Sequence, residues 1–294
     1  MTKLASPARV AYLGPAGTYT HAAALQWFGK GAHEGAHEGV HEGGLENVQW
    51  QPVSDIPAIF AAVERGDADY GVAPVENSTE GSVIPTLDAL NNSTLQIGGE
   101  VQLRIHHCLL ASEGTALGDI VKVVAHQQSL GQCREWLAVN LPGVEKVSVS
   151  SNAEAARLAA QQRGVAAIAG KTAAELYGLR VLMENIEDCA DNTTRFVVLS
   201  RTAATSSTGR DKTSIIISTL NEPGTLFRAL EPFHRFGVNL TKLESRPSRK
   251  ANWCYFFYVD FDGHVDDGKV QQALDVLRSH ALDVKILGSY PAAP

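Results

Sequence analysis

Over roughly its first 200 residues the sequence alternates between short apolar runs and stretches of helical period, and this alternation restricts the fold more than any single motif does. The runs at 10–13, 48–53, 70–75, 121–125, 144–150, 165–169 and 197–200 read as strands. Between them, 21–28, 55–65, the segment carrying Val83, Leu87 and Leu90, the segment ending at Val139, 153–163 and 171–177 carry the spacing of helices. Strand followed by helix, repeated, predicts right-handed parallel α/β units. One stretch breaks the rhythm. Across 95–110, Val101, Leu103 and Ile105 alternate with Gln102, Arg104 and His106, which reads as paired strands or as a crossing between two lobes.

The apolar runs end in polar loops, and open α/β sheets bind ligands just beyond the carboxyl ends of their strands. Residues 14–20 (Gly-Pro-Ala-Gly-Thr-Tyr-Thr) lead from a strand into a helix, aiming backbone N–H groups and Thr hydroxyls at a common point suited to a carboxylate or phosphate. No Gly-Lys-Ser/Thr follows, so this is not a phosphate-binding loop of the nucleotide type. Residues 76–82 (Glu-Asn-Ser-Thr-Glu-Gly-Ser) follow another strand, with Ser82 placed to cap the next helix. His126, Gln127 and Gln132 gather near a strand end and a helix start, and Asn152 is expected to cap the helix after it. Residues 191–196 (Asp-Asn-Thr-Thr-Arg-Phe) set two hydroxyls, an amide and a guanidinium at the mouth of a strand whose interior begins at Phe196. Each loop also has a plainer reading as a capped helix or a polar turn.

Two other features carry less. The adjacent His106 and His107 lack metal-ligand spacing and read as strand residues with satisfied hydrogen bonds. The His-Glu-Gly repeats within 33–44 hold a glycine in every period, which opposes an ordered helix; they read as a flexible surface insertion with adventitious metal affinity.

Composition narrows the partners. A net charge of −7 with no dense Lys/Arg run argues against a nucleic-acid or acidic-membrane binder and favours a small molecule or a protein. The 4 cysteines, at 108, 133, 189 and 254, form no Cys-x-x-Cys and suggest reduced, buried thiols. Residues 1–10 have no signal-peptide core, and no run reaches the roughly 18 apolar residues of a membrane span, so a cytoplasmic protein is expected.

After the strand ending at Ser200 the composition becomes small and polar over 202–212, the signature of a linker. Strands at 213–219, 240–245, 253–260 and 284–287, with helices at 223–236 and 269–280, then give the order βαββαβ of a ferredoxin-like fold. A turn at 221–226 and the strand end Glu244-Ser245-Arg246-Pro247 are its distinctive polar features.

Together, the Gly-Pro-x-Gly-Thr start, the Glu-Asn loop, the Thr-Arg-Phe run and the Glu-Ser-Arg-Pro strand end resemble the monofunctional prephenate dehydratase family over nearly the whole chain. The resemblance implies a two-lobed catalytic domain like the type II periplasmic binding proteins, at 8–201. Its first lobe would take about 8–104 and 182–201, and its second about 105–181. A linker at 202–212 and a phenylalanine-binding ACT domain at 213–294 would follow. It makes Thr194 the principal catalytic residue, with Asn77 and Gln132 in the site. Thr18, Thr20 and Ser82 would lie near substrate, Arg195 would meet a substrate carboxylate, and Glu154 would support activity or regulation. Effector contacts fall on Gly224, Thr225, Leu226, Glu244, Ser245 and Arg246. There are departures from the family pattern. Ala125-His126-Gln127-Gln128 stands where the family has Ser-His-Pro-Gln, Thr225 replaces an alanine in the effector turn, and the His-Glu-Gly repeats have no counterpart.

The activity so implied is decarboxylative dehydration of prephenate to phenylpyruvate, without metal or organic cofactor, with phenylalanine as allosteric inhibitor of a homodimer or homotetramer. Thr194 would act as an oriented donor to the leaving hydroxide, aided by the charge of Arg195. Two other readings stay open: arogenate as the substrate, and a non-catalytic amino-acid sensor.

Overall fold

The computed structural model describes residues 7–29, 47–202, 206–247 and 255–293; the repeats at 33–44 and Cys254 lie outside them. The first lobe begins with β1 (Ala8–Leu13), α1 (Tyr19–Phe28), β2 (Val48–Val53), α2 (Ile56–Glu64), β3 (Tyr70–Asn77), β4 (Gly81–Ser82), α3 (Ile84–Asn92) and β5 (Gln96–Arg104). The chain then crosses to a second lobe of β6 (Cys108–Ala111), β7 (Lys122–His126), α4 (Gln127–Gln132), α5 (Arg134–Asn140), β8 (Glu145–Val149), α6 (Asn152–Gln161), β9 (Val165–Ala169), α7 (Lys171–Tyr177) and β10 (Arg180–Met183). It returns to the first lobe as β11 (Thr193–Ser200). A third unit follows: β12 (Asp211–Thr219), α8 (Thr225–Arg235), β13 (Leu240–Pro247), β14 (Tyr255–Asp262), α9 (Gly268–His280) and β15 (Asp283–Pro291).

The expected α/β alternation is present, but the sheets are mixed rather than parallel. The lobe-one sheet has the order β2-β1-β3-β11-β5, and β11 runs antiparallel to both neighbours. The reason is topological: β5 carries the chain out toward the second lobe and β11 brings it back beside β5. The lobe-two sheet, β10-β6-β9-β7-β8, likewise has an antiparallel side where the crossing strands enter and leave.

Local chemistry sets the helix starts that face the gap between the lobes. The Thr18 hydroxyl accepts the His21 N–H at 3.2 Å to begin α1. At α6 the cap is Ser151, which accepts the Glu154 N–H at 3.0 Å, and not Asn152. Asn152 is already helical, and its Oδ1 takes the backbone N–H of His126 at 2.9 Å instead, tying two loops together. Ser82 caps nothing either: the residue before α3 is Val83, and Ser82 pairs with Asn77's neighbour Glu76 as part of β4. The helix expected to run unbroken to Val139 is split at Cys133.

The third unit is a four-stranded antiparallel sheet of order β13-β14-β12-β15. Its strands alternate between two apolar environments. Ile215, Ile217, Val259 and Phe261 pack under α8 and α9, whereas Ile216, Tyr258, Leu287 and Tyr290 join the lobe-one core around Leu87, Leu90 and Ile97. The sheet is therefore a shared wall. Contact is closest at Gly288, where a Cβ would lie 2.2 Å from the Ile97 carbonyl oxygen. Gly288→Ala is expected to lower stability by about 1–3 kcal/mol through overpacking, read as an earlier urea midpoint.

Candidate active site

β3 and β11 pair with Thr194 opposite Asn77 and Arg195 opposite Glu76. Because successive strand residues point to opposite faces, these adjacent pairs look in different directions. Thr194 and Asn77 face the gap between the lobes, where they line a cavity of about 320 Å³ together with Thr18, His107, Gln132 and Asn192. Arg195 and Glu76 face the third unit.

The cleft pair is joined directly. Asn77 Nδ2 donates to Thr194 Oγ1 at 2.8 Å and to Asn192 Oδ1 at 2.7 Å. Asn77 Oδ1 accepts the backbone N–H groups of Thr79 and Glu80 at 3.0 and 2.9 Å, so its amide cannot turn over without losing both. Asn192 Nδ2 reaches Gln132 Oε1 at 3.3 Å. A lone pair of the Thr194 hydroxyl is thus occupied by Asn77, leaving its proton for a ligand in the cleft.

Among the described residues, those lining this cavity include no Lys, Arg, Asp or Glu. Attraction for an anion must come from neutral donors and from the N-termini of α1, α4 and α6, which all open on the cavity. Two of the groups lining it are shifted by burial. The Tyr19 hydroxyl is held well above its ordinary pKa, and His107, wholly buried, is held below the ordinary histidine value by desolvation. Nearby His21 is also pushed down by burial; it accepts the Gly17 N–H at 3.1 Å and stacks on Tyr12.

Of the residues expected at the site, Thr194, Asn77, Gln132 and Thr18 meet in the cavity. Thr20 is 5% exposed inside α1. Arg195 is not a substrate partner in this arrangement. Its guanidinium is buried on the opposite face, with Nε 2.5 Å from Glu100, one terminal nitrogen 2.5 Å from Asp260 and the other 2.8 Å from the Tyr290 hydroxyl. Lys212 adds a second cation on Glu100 at 2.8 Å, and Ser214 donates to Asp260 at 2.6 Å. Ser82 donates to Glu244 at 3.0 Å, across the contact between units. Glu154 lies outside the cavity, paired with Arg157 at 2.7 Å, whose hydrogen bond lowers its pKa.

The expected effector residues separate into two groups. Gly224, Thr225 and Leu226 line a surface cavity with Leu220, Tyr255 and Phe257. Thr225 does not offer its hydroxyl to that cavity, since it donates within the turn, to the carbonyls of Leu220 and Glu222. On β13, Lys242, Glu244 and Arg246 alternate toward lobe one, where they meet Glu76, Ser82 and Asp88, while Ser245 is exposed on the other side. Sequence reasoning missed His107, Tyr19 and Ser151 as cleft residues. For His107 the one available signal was its place at the end of an alternating strand beside a second histidine.

A two-lobed α/β domain with a polar cleft between its lobes, carrying a βαββαβ unit docked on one lobe, defines a small-molecule enzyme with an appended ligand-binding module. Comparison with known proteins makes this specific. Family models for prephenate dehydratase and for the ACT domain match residues 10–204 and 213–279. The bifunctional chorismate mutase/prephenate dehydratase of Pseudomonas aeruginosa is 46% identical over 99% of this chain and 75% of its own length. The prephenate dehydratase of Arthrobacter aurescens, solved with L-Phe, is 35% identical with a TM-score of 0.82, covering 97% of this chain and 90% of that one. A structure described as GqqA, a quorum quenching acylase, is 31% identical with a TM-score of 0.84, covering 97% and 98%. The chain belongs to the prephenate dehydratase family.

Two outcomes follow from this geometry. Arg195→Met leaves Asp260 as a buried charge without a cation and Glu100 with Lys212 alone, and is expected to cost about 3–5 kcal/mol in urea unfolding. His21 and His107 are held neutral in the fold but free to protonate when unfolded, so their contribution to stability is complete above about pH 6.5 and is lost as pH falls below it. The urea midpoint should therefore drop between pH 7.5 and pH 5.5.

Proposed function

We propose that Thr194, Asn77 and Gln132 carry the prephenate dehydratase reaction of this family in the cleft between the lobes. Prephenate loses its ring carboxylate as CO2; the electrons of that C–C bond aromatise the ring as the hydroxyl on the opposite carbon departs, leaving phenylpyruvate and, after protonation of hydroxide, water. Aromatisation supplies the driving force. What remains for the protein is to hold the ring and to stabilise the departing oxygen. The observation that carries this reading is the 2.8 Å contact from Asn77 Nδ2 to Thr194 Oγ1, which orients the threonine as a donor with its own proton unspent. Gln132 supplies a second donor on the same wall. The positive charge of Arg195, expected from the sequence to assist, has no part in this step, because that group is neutralised on the other face.

Regulation by phenylalanine is supported by the ACT match and by the solved relative with L-Phe. The cavity at Gly224, Thr225 and Leu226 is the proposed effector pocket, completed by a second copy of the domain in a homodimer or homotetramer. No helix among the described residues is long and apolar enough to cross a membrane, and we place the enzyme in the cytoplasm. Amide hydrolysis, the reaction of an acylase such as the structural neighbour GqqA, needs an activated nucleophile. Among the described residues neither Ser129 nor Ser151 in the cleft hydrogen-bonds a histidine or carboxylate that could take its proton, their partners there being the Asn152 amide and the Glu154 N–H, which favours the lyase reading.

The test is turnover of prephenate by the purified chain. Thr194→Ala is expected to lower kcat by about 100-fold or more, Thr194→Ser to retain more of it, and phenylalanine to slow the wild type. Prephenate left intact while arogenate is consumed would transfer the reaction to that substrate. Phenylalanine binding without turnover of either would make the chain a sensor.

A further inference from the structure

The orientation of the neutral side chains in the cleft is set from one end. Two backbone donors hold Asn77 Oδ1, so the nitrogen of Asn77 faces Asn192 and Thr194. Asn192 in turn shows its oxygen to Asn77 and its nitrogen to Gln132 Oε1. Gln132 must then keep its oxygen on that side, and His107 Nε2, 2.8 Å from the same oxygen, must carry a hydrogen. Its Nδ1, then an acceptor, lies 2.7 Å from the Tyr19 hydroxyl, whose single proton is shared with the His106 carbonyl oxygen at 2.8 Å. At the far end one group is left over. Gln132 Nε2 is buried in the cavity wall with no hydrogen-bond partner among the described residues.

An orphaned buried donor is costly, and it marks where a ligand acceptor belongs. Keeping it there is not trivial. A glutamine amide turns over with almost no change of shape, and the reversed amide would present a carbonyl oxygen to an anionic substrate. Asn192 opposes this with a long contact of 3.3 Å. The shorter one comes from His107, whose ring is wholly buried, packed edge-on against Tyr19 at 5.7 Å, and anchored through its own backbone N–H to Glu187 at 2.8 Å.

We propose that His107 is a positioning residue for the reaction: its Nε2–H holds Gln132 Oε1 so that Gln132 Nε2 donates to the departing oxygen of the substrate, beside the Thr194 hydroxyl. The proposal rests on the reading of the cleft as the prephenate site. His107 itself touches no substrate. Burial, which disfavours its charged form, favours the neutral ring.

Steady-state kinetics with prephenate on His107→Leu, His107→Gln and His107→Asn, with and without Gln132→Leu, test this. His107→Leu should lower kcat about tenfold or more while KM changes less, as for loss of a transition-state donor. His107→Gln can place an amide nitrogen where Nε2 was and should recover part of kcat; His107→Asn, too short to reach Gln132, should not. In the Gln132→Leu background, His107→Leu should cause no further loss. The role is overturned if His107→Leu stays within twofold of wild-type kcat, or if the two losses multiply. Should His107→Leu fail to fold, equal activity of the Gln and Asn variants overturns it. A wild type that leaves prephenate intact would instead remove the functional reading, which Thr194→Ala checks separately.

Discussion

The buried cluster around Arg195 is the interaction on which the rest of the arrangement depends. Its guanidinium meets Glu100 on β5, Asp260 on β14 and Tyr290 on β15, so that one side chain ties the returning strand of the catalytic domain to two strands of the ACT domain. Such a cluster adds little net stability over a well-packed apolar contact, because desolvation offsets most of the Coulomb attraction. What it does is make other dockings costly: any shift of the ACT sheet that parted these groups would leave charges without partners in a site where Arg195 is only 9% exposed and Glu100 only 3%. The surrounding apolar wall, with Ile216, Leu287 and Tyr290 set into the core at Leu87 and Ile97, supplies the burial that the ion pairs then orient.

On their other face the same two strands line the cleft. Thr194 and Asn77 are one residue removed from Arg195 and Glu76, and the pleat sends the first pair into the cleft and the second into the domain contact. Cleft and interdomain groups therefore share a piece of backbone, including the register irregularity between Arg195 and Phe196. On the cleft side the design is the opposite of the interface: neutral amides and hydroxyls, each orienting the next, with helix N-termini in place of cations. Preorganised neutral donors suit a reaction in which the substrate brings its own negative charge and passes that of the lost carboxylate to the departing hydroxide.

Much of this was legible in the sequence, and the reasons differ by residue. The strand and helix segments are stated by periodicity, and the βαββαβ order of the last domain follows from it. Thr18 and Asn77 could be found because each lies where an apolar run gives way to a polar loop, Gln132 because it belongs to the polar segment that follows another, and Thr194 because it stands just before one, places where a ligand can be met. Ser82, Arg195 and Glu154 sit in or beside the same loops yet turn elsewhere, to Glu244, to Glu100 and Asp260, and to Arg157. His107 went the other way: it looked like an ordinary strand residue and proved to be wholly buried in the cleft wall.

The sequence by itself determined most of the strand and helix segments and the βαββαβ order of the last unit, since those properties are written in residue type and local spacing. Only the tertiary structure decided the direction each group faces and what it meets there. A strand's alternation is known from the sequence only up to a choice of face, and the partners that select it for Arg195 come from residues 65 and 95 positions away. The parity that turns Arg195 from a substrate ligand into an interdomain anchor is fixed by the docking of a second sheet, a long-range contact to which no local pattern is sensitive.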